Sequence, residues 1–178
     1  MTASSSASSS STVENGRWSD RPSVLPRMIT NLEISELQGV AKAFGEMICA
    51  RWPEFLQHAS TRQGSLWIEL PAPSGATTLW IRADVDFDEV IIGIGGGHSH
   101  GGEWEQADDP DYRFEASVRF IGDILADRVV GCSHCGGGGS IGTLDHLRAV
   151  PWWRSVVEVR SWTGVHDEIR KGRTSRHS

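Results

Sequence analysis

The sequence predicts an α+β protein, with a mainly antiparallel sheet of five to six strands and two helices packed on one side, in the order α-β-β-β-α-β-β(-β). Three observations carry that expectation. Leu37, Val40, Ala41, Phe44, Met47 and Ile48 recur at the i, i+3, i+4, i+7 spacing of an amphipathic helix. Three short apolar runs then follow, separated only by turn-forming residues. No regular βαβ alternation is present, so the strands read as hairpins rather than as a parallel sheet.

Along the chain, residues 1–28 form a leader rich in Ser, Ala and Thr that cannot bury enough apolar surface to offset its ordering entropy, and it reads as disordered. A single domain is expected over residues 29–165, and a basic flexible tail over 166–178. The first helix reads as opening on a capping box, Ser35 with Gln38, and as ending by Pro53. Ser65 to Leu70, Thr78 to Arg82 and Val90 to Ile94 read as a β-meander, broken by Pro71-Ala72-Pro73-Ser74-Gly75 and by the acidic stretch Asp84 to Glu89. Phe114, Val118, Ile121 and Leu125 share one face of a second helix, and the polar segment Asp108-Asp109-Pro110-Asp111 before it suits a helix N-terminus. Arg128 to Cys132 and Ser155 to Trp162 read as later strands. Between them, Ile141 to Val150 fits neither pattern.

Composition narrows the function classes. The chain has 178 residues, one domain's worth, since domains run about 100 to 200 residues. Its formal charge of -6 is uneven, because Arg170, Lys171, Arg173 and Arg176 crowd the last nine residues with no acid among them. The remainder is more acidic still and repels phosphate backbones, which argues against nucleic acid and for a basic protein partner. The apolar runs are far shorter than the ~20 residues of a transmembrane helix, so no membrane association is expected. The N-terminus lacks the charged and apolar regions of a secretory signal, and three cysteines are an odd number for a disulfide framework. A cytoplasmic location is the expectation.

Two pairs of side chains could bind metal. His98 and His100 stand two apart and would project from one face of an extended segment. Cys132 and Cys135 have the C-x-x-C spacing that lets two thiolates reach one tetrahedral ion. If the fold joins the pairs, the four form a zinc site, with Glu103 as a general base; otherwise the histidines are polar strand-end residues and Cys132 is a small core hydrophobe. No other cofactor is expected.

Other motifs are weaker. Gly138-Gly139-Ser140-Ile141-Gly142 matches G-x-S-x-G, but a nucleophile elbow needs a following helix and a later acid and histidine; Asp145 and His146 lie close by, and His166 and Asp167 further on. The same glycines read more simply as a turn. Asp84, Asp86 and Asp88 resemble the start of a calcium loop, yet Glu89 occupies the position that needs glycine. These acids solvate a turn between strands. With Glu103 and Glu105 they build an acidic surface, and Trp104 is a natural anchor beside it, since Trp is enriched at binding hot spots. Most of the eight tryptophans are expected in the core.

Leu79-Trp80-Ile81, Glu89 to Gly93 running into His98-Ser99-His100, Phe120 to Leu125 before Arg128-Val129-Val130, and Val159 to Gly164 together resemble small uncharacterised bacterial α+β proteins. Some of these are similar to immunity proteins of toxin systems. The resemblance spans about residues 30 to 165 and implies no catalytic residues. The glycine tracts and the C-x-x-C depart from it. Two functional expectations follow. One is a non-enzymatic protein-binding module, an immunity protein that neutralises a basic toxin through Asp84, Asp86, Asp88, Glu103, Trp104 and Glu105. The alternative is a zinc-binding protein or metal-dependent enzyme built on His98, His100, Cys132 and Cys135.

Overall fold

A computed structural model of the chain describes residues 31–100 and 110–170. The expected leader, residues 1–28, lies outside them, as do the segment 101–109 and the last eight residues. A short helix α1 (Asn31–Ser35) precedes α2 (Gly39–Arg51) and a 3-10 turn, Pro53–His58. Five strands follow: β1 (Ala59–Arg62), β2 (Ser65–Pro71), β3 (Thr78–Asp84), β4 (Glu89–Ile94) and β5 (Gly97–His100). Helix α3 (Pro110–Leu125) leads to β6 (Val130–His134), β7 (Gly139–Gly142), α4 (Leu144–Ala149), a second 3-10 turn at Pro151–Ser155, β8 (Val156–Arg160) and β9 (Glu168–Ile169).

The α+β architecture with antiparallel strands is the one the sequence predicts, with the strands divided between two sheets. The first has the order β1-β2-β3-β4-β5 and the second β7-β6-β8-β9, every pairing antiparallel. Ser35 closes α1 instead of capping the next helix. Helix α2 starts at Gly39 after Gln38, which makes no side-chain capping bond. Its end is the expected one, at Trp52 before Pro53, where the proline disfavours helical geometry in the residue ahead of it. The ambiguous segment resolves into the end of β7 and α4, whose N-cap Thr143 accepts a hydrogen bond from the His146 backbone N–H. The folded part also runs past residue 165, because Glu168 and Ile169 pair with β8 and the Arg170 N–H donates to the Val157 carbonyl at 2.7 Å.

Period-two alternation sorts the first sheet into two faces. Leu66, Ile68 and Leu70 of β2, Leu79, Ile81 and Ala83 of β3, and Val90, Ile92 and Ile94 of β4 are all buried, forming one apolar face. Val40, Ala41, Phe44 and Ile48 of α2 cover it together with Phe114, Phe120, Ile121 and Ile124 of α3. Phe44 and Phe114 meet with ring centroids 6.0 Å apart. Each large side chain buried there stabilises the fold by about 1.5–3 kcal/mol. A second, smaller core joins Val130, Cys132, Leu147, Val156 and Val159 between the second sheet and α4.

The six described tryptophans depart from the expectation of core positions: five are half-buried and Trp152 is exposed. On the outer face of the first sheet Trp67 lies between the guanidinium groups of Arg62 and Arg82, 4.5 and 5.1 Å from its ring. Trp80 covers Gly93, its register partner, where a β-carbon would overlap the indole. These rings shield backbone while keeping their polar edges near water.

The sheets meet through glycine. A β-carbon on Gly131 would overlap the Ile94 carbonyl, one on Gly97 the Ser140 carbonyl, and one on Gly139 the Gly96 carbonyl. Gly96 itself lies against Ser133. Three of these contacts are backbone on backbone, so no side chain can move aside to admit a methyl group. Gly131→Ala is therefore expected to lower unfolding free energy by about 1–3 kcal/mol or more. Gly136→Ala, where the added carbon meets open space, is expected to change it by under about 0.5 kcal/mol. Urea denaturation of the two variants checks this, and equal midpoints would remove the packing role.

Candidate functional site

His98 and His100 share the outer face of the first sheet, as their spacing predicts, with ring centroids 5.4 Å apart. Register places His98 beside Gly93 and His100 beside Ile91. His98 packs near Trp80, and His100 Nδ1 pairs with Glu89 Oε2 at 3.0 Å. The cysteine pair is split. The face of β6 that meets the β4–β5 turn carries Gly131 and Ser133, so alternation sends Cys132 the other way, into the second core. Burial there pushes its thiol up to about 11. Cys135 is exposed in the β6–β7 turn. Among the described residues no three His, Cys, Asp or Glu side chains gather where they could hold a metal ion.

The acidic residues also divide. Asp84 is fully buried and belongs to the fold, not to a contact surface. Its Oδ1 accepts the Asp86 backbone N–H at 3.0 Å and the Ser65 hydroxyl at 3.4 Å, while Oδ2 faces the Arg82 guanidinium. The side chain thus ties the β3–β4 turn down from beneath, where a carboxylate satisfies donors that the chain reversal leaves over. Asp86 and Asp88 are exposed at the tip, and Phe87 between them is 71% exposed. Asp88 holds the left-handed conformation, φ 50°, that Asp tolerates better than most residues. Glu103, Trp104 and Glu105 lie outside the described residues.

A third cluster went unrecognised in the sequence. His134 follows Cys132 by two on β6, and Ser140 stands opposite Cys132 on β7, so all three share the face covered by α4 and the second 3-10 turn. A register shift at Ser133/His134 lets His134 pair with Val156 and aims its ring between two hydroxyls. His134 Nε2 lies 3.0 Å from Ser140 Oγ, and Nδ1 lies 3.0 Å from Ser155 Oγ. The Trp152 ring packs edge-on against the imidazole, centroids 5.0 Å apart. Ser140 also borders a cavity of about 280 Å³ lined by His98, Ile141, His146, Leu147 and Trp152. The G-x-S-x-G match pointed to Ser140 with the wrong context: Gly139 to Gly142 form a strand, not an elbow, and the partner is His134, upstream, rather than His146 or His166. Only the strand parity of Cys132 and His134 could have signalled it.

A larger groove, about 770 Å³, runs between α2 and α3 past Met47, Trp52, Val118 and Asp123. Asp123 on its rim is paired with Arg128 at 2.8 Å. No protein-family model, curated protein or solved structure matches the chain. Among the described residues no helix is long and apolar enough to cross a membrane.

The thiols separate these environments in solution. At pH 8 one thiol, Cys135, is expected to react rapidly with a disulfide reagent, while Cys49, also raised to about 11 by burial, and Cys132 stay protected until denaturant is added. Cys135→Ser is expected to remove the fast phase. Two fast thiols in the native protein would contradict the buried placement of Cys132. The same shifts make stability fall as pH rises above 9, since the unfolded chain loses these protons first.

Proposed function

We propose that the chain is a protein-binding module whose contact surface centres on the β3–β4 tip, Asp86-Phe87-Asp88. The observation that carries this reading is the exposure of Phe87, a large apolar ring held out on a turn that Asp84 fixes from below. A ring so placed contributes little to folding and leaves water only on contact with another molecule. Exposed aromatics on preorganised loops lose little conformational entropy on binding, which is why they dominate hot spots. The flanking carboxylates and the net charge of -6 favour a basic partner and accelerate its capture. A basic toxin, with this chain as its immunity protein, is a partner of that chemistry.

Co-expression with the product of the adjacent reading frame tests the reading, scored as rescue of growth. Wild type is expected to rescue. Phe87→Ala is expected to weaken the complex about 10- to 100-fold while shifting stability by no more than about 0.5 kcal/mol. Asp86→Lys with Asp88→Lys is expected to slow association and flatten its salt dependence. A harmless neighbour, or full rescue by all three substitutions together, would sink the proposal.

A further inference from the structure

We propose that His134, Ser140 and Ser155 form a nucleophilic acyl-transfer site, with Ser140 as the nucleophile and small carboxylic esters as the substrate class. The site lies on the second sheet, at the far end of β4 from the Phe87 tip, so this proposal and the binding reading stand or fall separately.

Proton positions follow from counting donors. Ser155 has one hydroxyl hydrogen and gives it to the Trp152 carbonyl at 2.7 Å. Its oxygen can then only accept from His134, which places the imidazole proton on Nδ1. Nε2 is left with its lone pair facing Ser140 Oγ at 3.0 Å, and the Ser140 hydroxyl donates to it. A base aimed at a serine hydroxyl and oriented through its other nitrogen is the arrangement that activates a nucleophile.

The surrounding backbone holds the geometry. The His134 N–H donates to the Gly138 carbonyl at 3.1 Å and the Cys135 N–H to the Ser155 carbonyl at 2.9 Å, which ties the β6–β7 turn to the segment bearing Ser155. Gly137 and Gly138 supply the positive φ values, 87° and 76°, that the turn requires. The cavity beside Ser140 has apolar walls in Ile141, Leu147 and Trp152 and polar groups in His98 and His146. Its volume, about 280 Å³, is at the low end for ligand sites and suits a short acyl chain.

In the reaction, Ser140 Oγ bonds to the ester carbonyl carbon as its proton passes to His134 Nε2, and the carbonyl π electrons move onto oxygen. Collapse breaks the bond to the alcohol oxygen, which takes the proton from Nε2. Acyl-Ser140 and free alcohol result, with the imidazole neutral again. Water then gives a proton to Nε2, attacks the acyl carbon and releases the carboxylic acid, and Ser140 recovers its hydrogen. Ser155 orients the imidazole without the negative charge an aspartate would bring, so turnover is slow and acylation is the informative readout.

The experiment treats the full chain with a fluorophosphonate probe and reads intact mass and peptide maps. One adduct per chain is expected, on Ser140. His134→Gln is expected to slow labelling at least 100-fold. Ser155→Ala is expected to slow it about tenfold and Ser155→Thr to restore it, as a positioning residue requires and a packing role does not; circular dichroism verifies folding in each variant. Wild-type protein is expected to hydrolyse p-nitrophenyl butyrate, and Ser140→Ala to abolish that hydrolysis. An unlabelled wild type, an adduct on another residue, or labelling indifferent to folded His134→Gln would overturn the proposal.

Discussion

The contact on which the rest of the structure depends is the backbone-to-backbone seam between the two sheets. Packed sheets ordinarily stand about 10 Å apart because side chains fill the space between them. Here Gly131, Gly97 and Gly139 present bare α-carbons to carbonyl groups of the opposite sheet, and the chains approach to the limit of backbone contact. The seam also sets parity. With Gly131 and Ser133 turned to the β4–β5 end of the first sheet, Cys132 and His134 must face the other way. That one alternation takes Cys132 out of reach of the histidine strand and brings His134 to Ser140.

The two cores are unequal, and polar ties offset the difference. The first sheet has two helices across it, whereas the second has five buried apolar residues to hold four strands. Arg160 compensates from the C-terminal end of β8. Its guanidinium bonds Glu158 Oε1 and Asp167 Oδ2, each at 3.0 Å, and its stem rests on Gly95 of the other sheet. Partial burial opposes its charge, but the hydrogen bonds it donates to Asp167 and Glu158 outweigh that and hold the group above its ordinary value. Asp167 also accepts the Ser161 N–H at 2.8 Å, and Asp127, just past α3, accepts the Thr163 N–H at 2.9 Å. The C-terminal loop is thereby fastened to both layers, which explains why the folded chain continues beyond the last apolar run that the sequence displays.

What could be read in advance follows from which physical signals are local. Helical periodicity in Val40 to Ile48 and alternation in Leu66 to Leu70 are properties of neighbours in the chain, and both elements are where those patterns place them. The four strands β1, β5, β7 and β9 escape notice because each has four residues or fewer and little apolar content. The glycine tracts misled for a related reason: a glycine in a turn and a glycine under a crossing backbone look alike in sequence, and Gly136, Gly137 and Gly138 are of the first kind, with open space around them, whereas Gly97, Gly131 and Gly139 are of the second. Asp84 read as surface because its neighbours Asp86 and Asp88 are; alternation does put it on the outer face with Trp80 and Arg82, but the β3–β4 turn, Ser65 and the Arg82 side chain enclose it there. The cluster around His134 joins residues six and 21 positions away through the β6–β7 and β6–β8 registers, information that no single window contains.

The separation of the two proposed surfaces has an electrostatic consequence. The acidic tip and the seam lie at opposite ends of β4, whose six residues at about 3.3 Å each span roughly 20 Å. The Debye length at physiological ionic strength is about 8 Å, so the carboxylates at the tip are screened from the imidazole by more than two such lengths. The charge of the tip is therefore remote from His134, whose immediate hydrogen-bond partners, Ser140 and Ser155, are neutral hydroxyls. A neutral imidazole is what an activated serine needs, and a charged rim is what capture needs. The length of one central strand keeps the two proposed surfaces electrostatically apart.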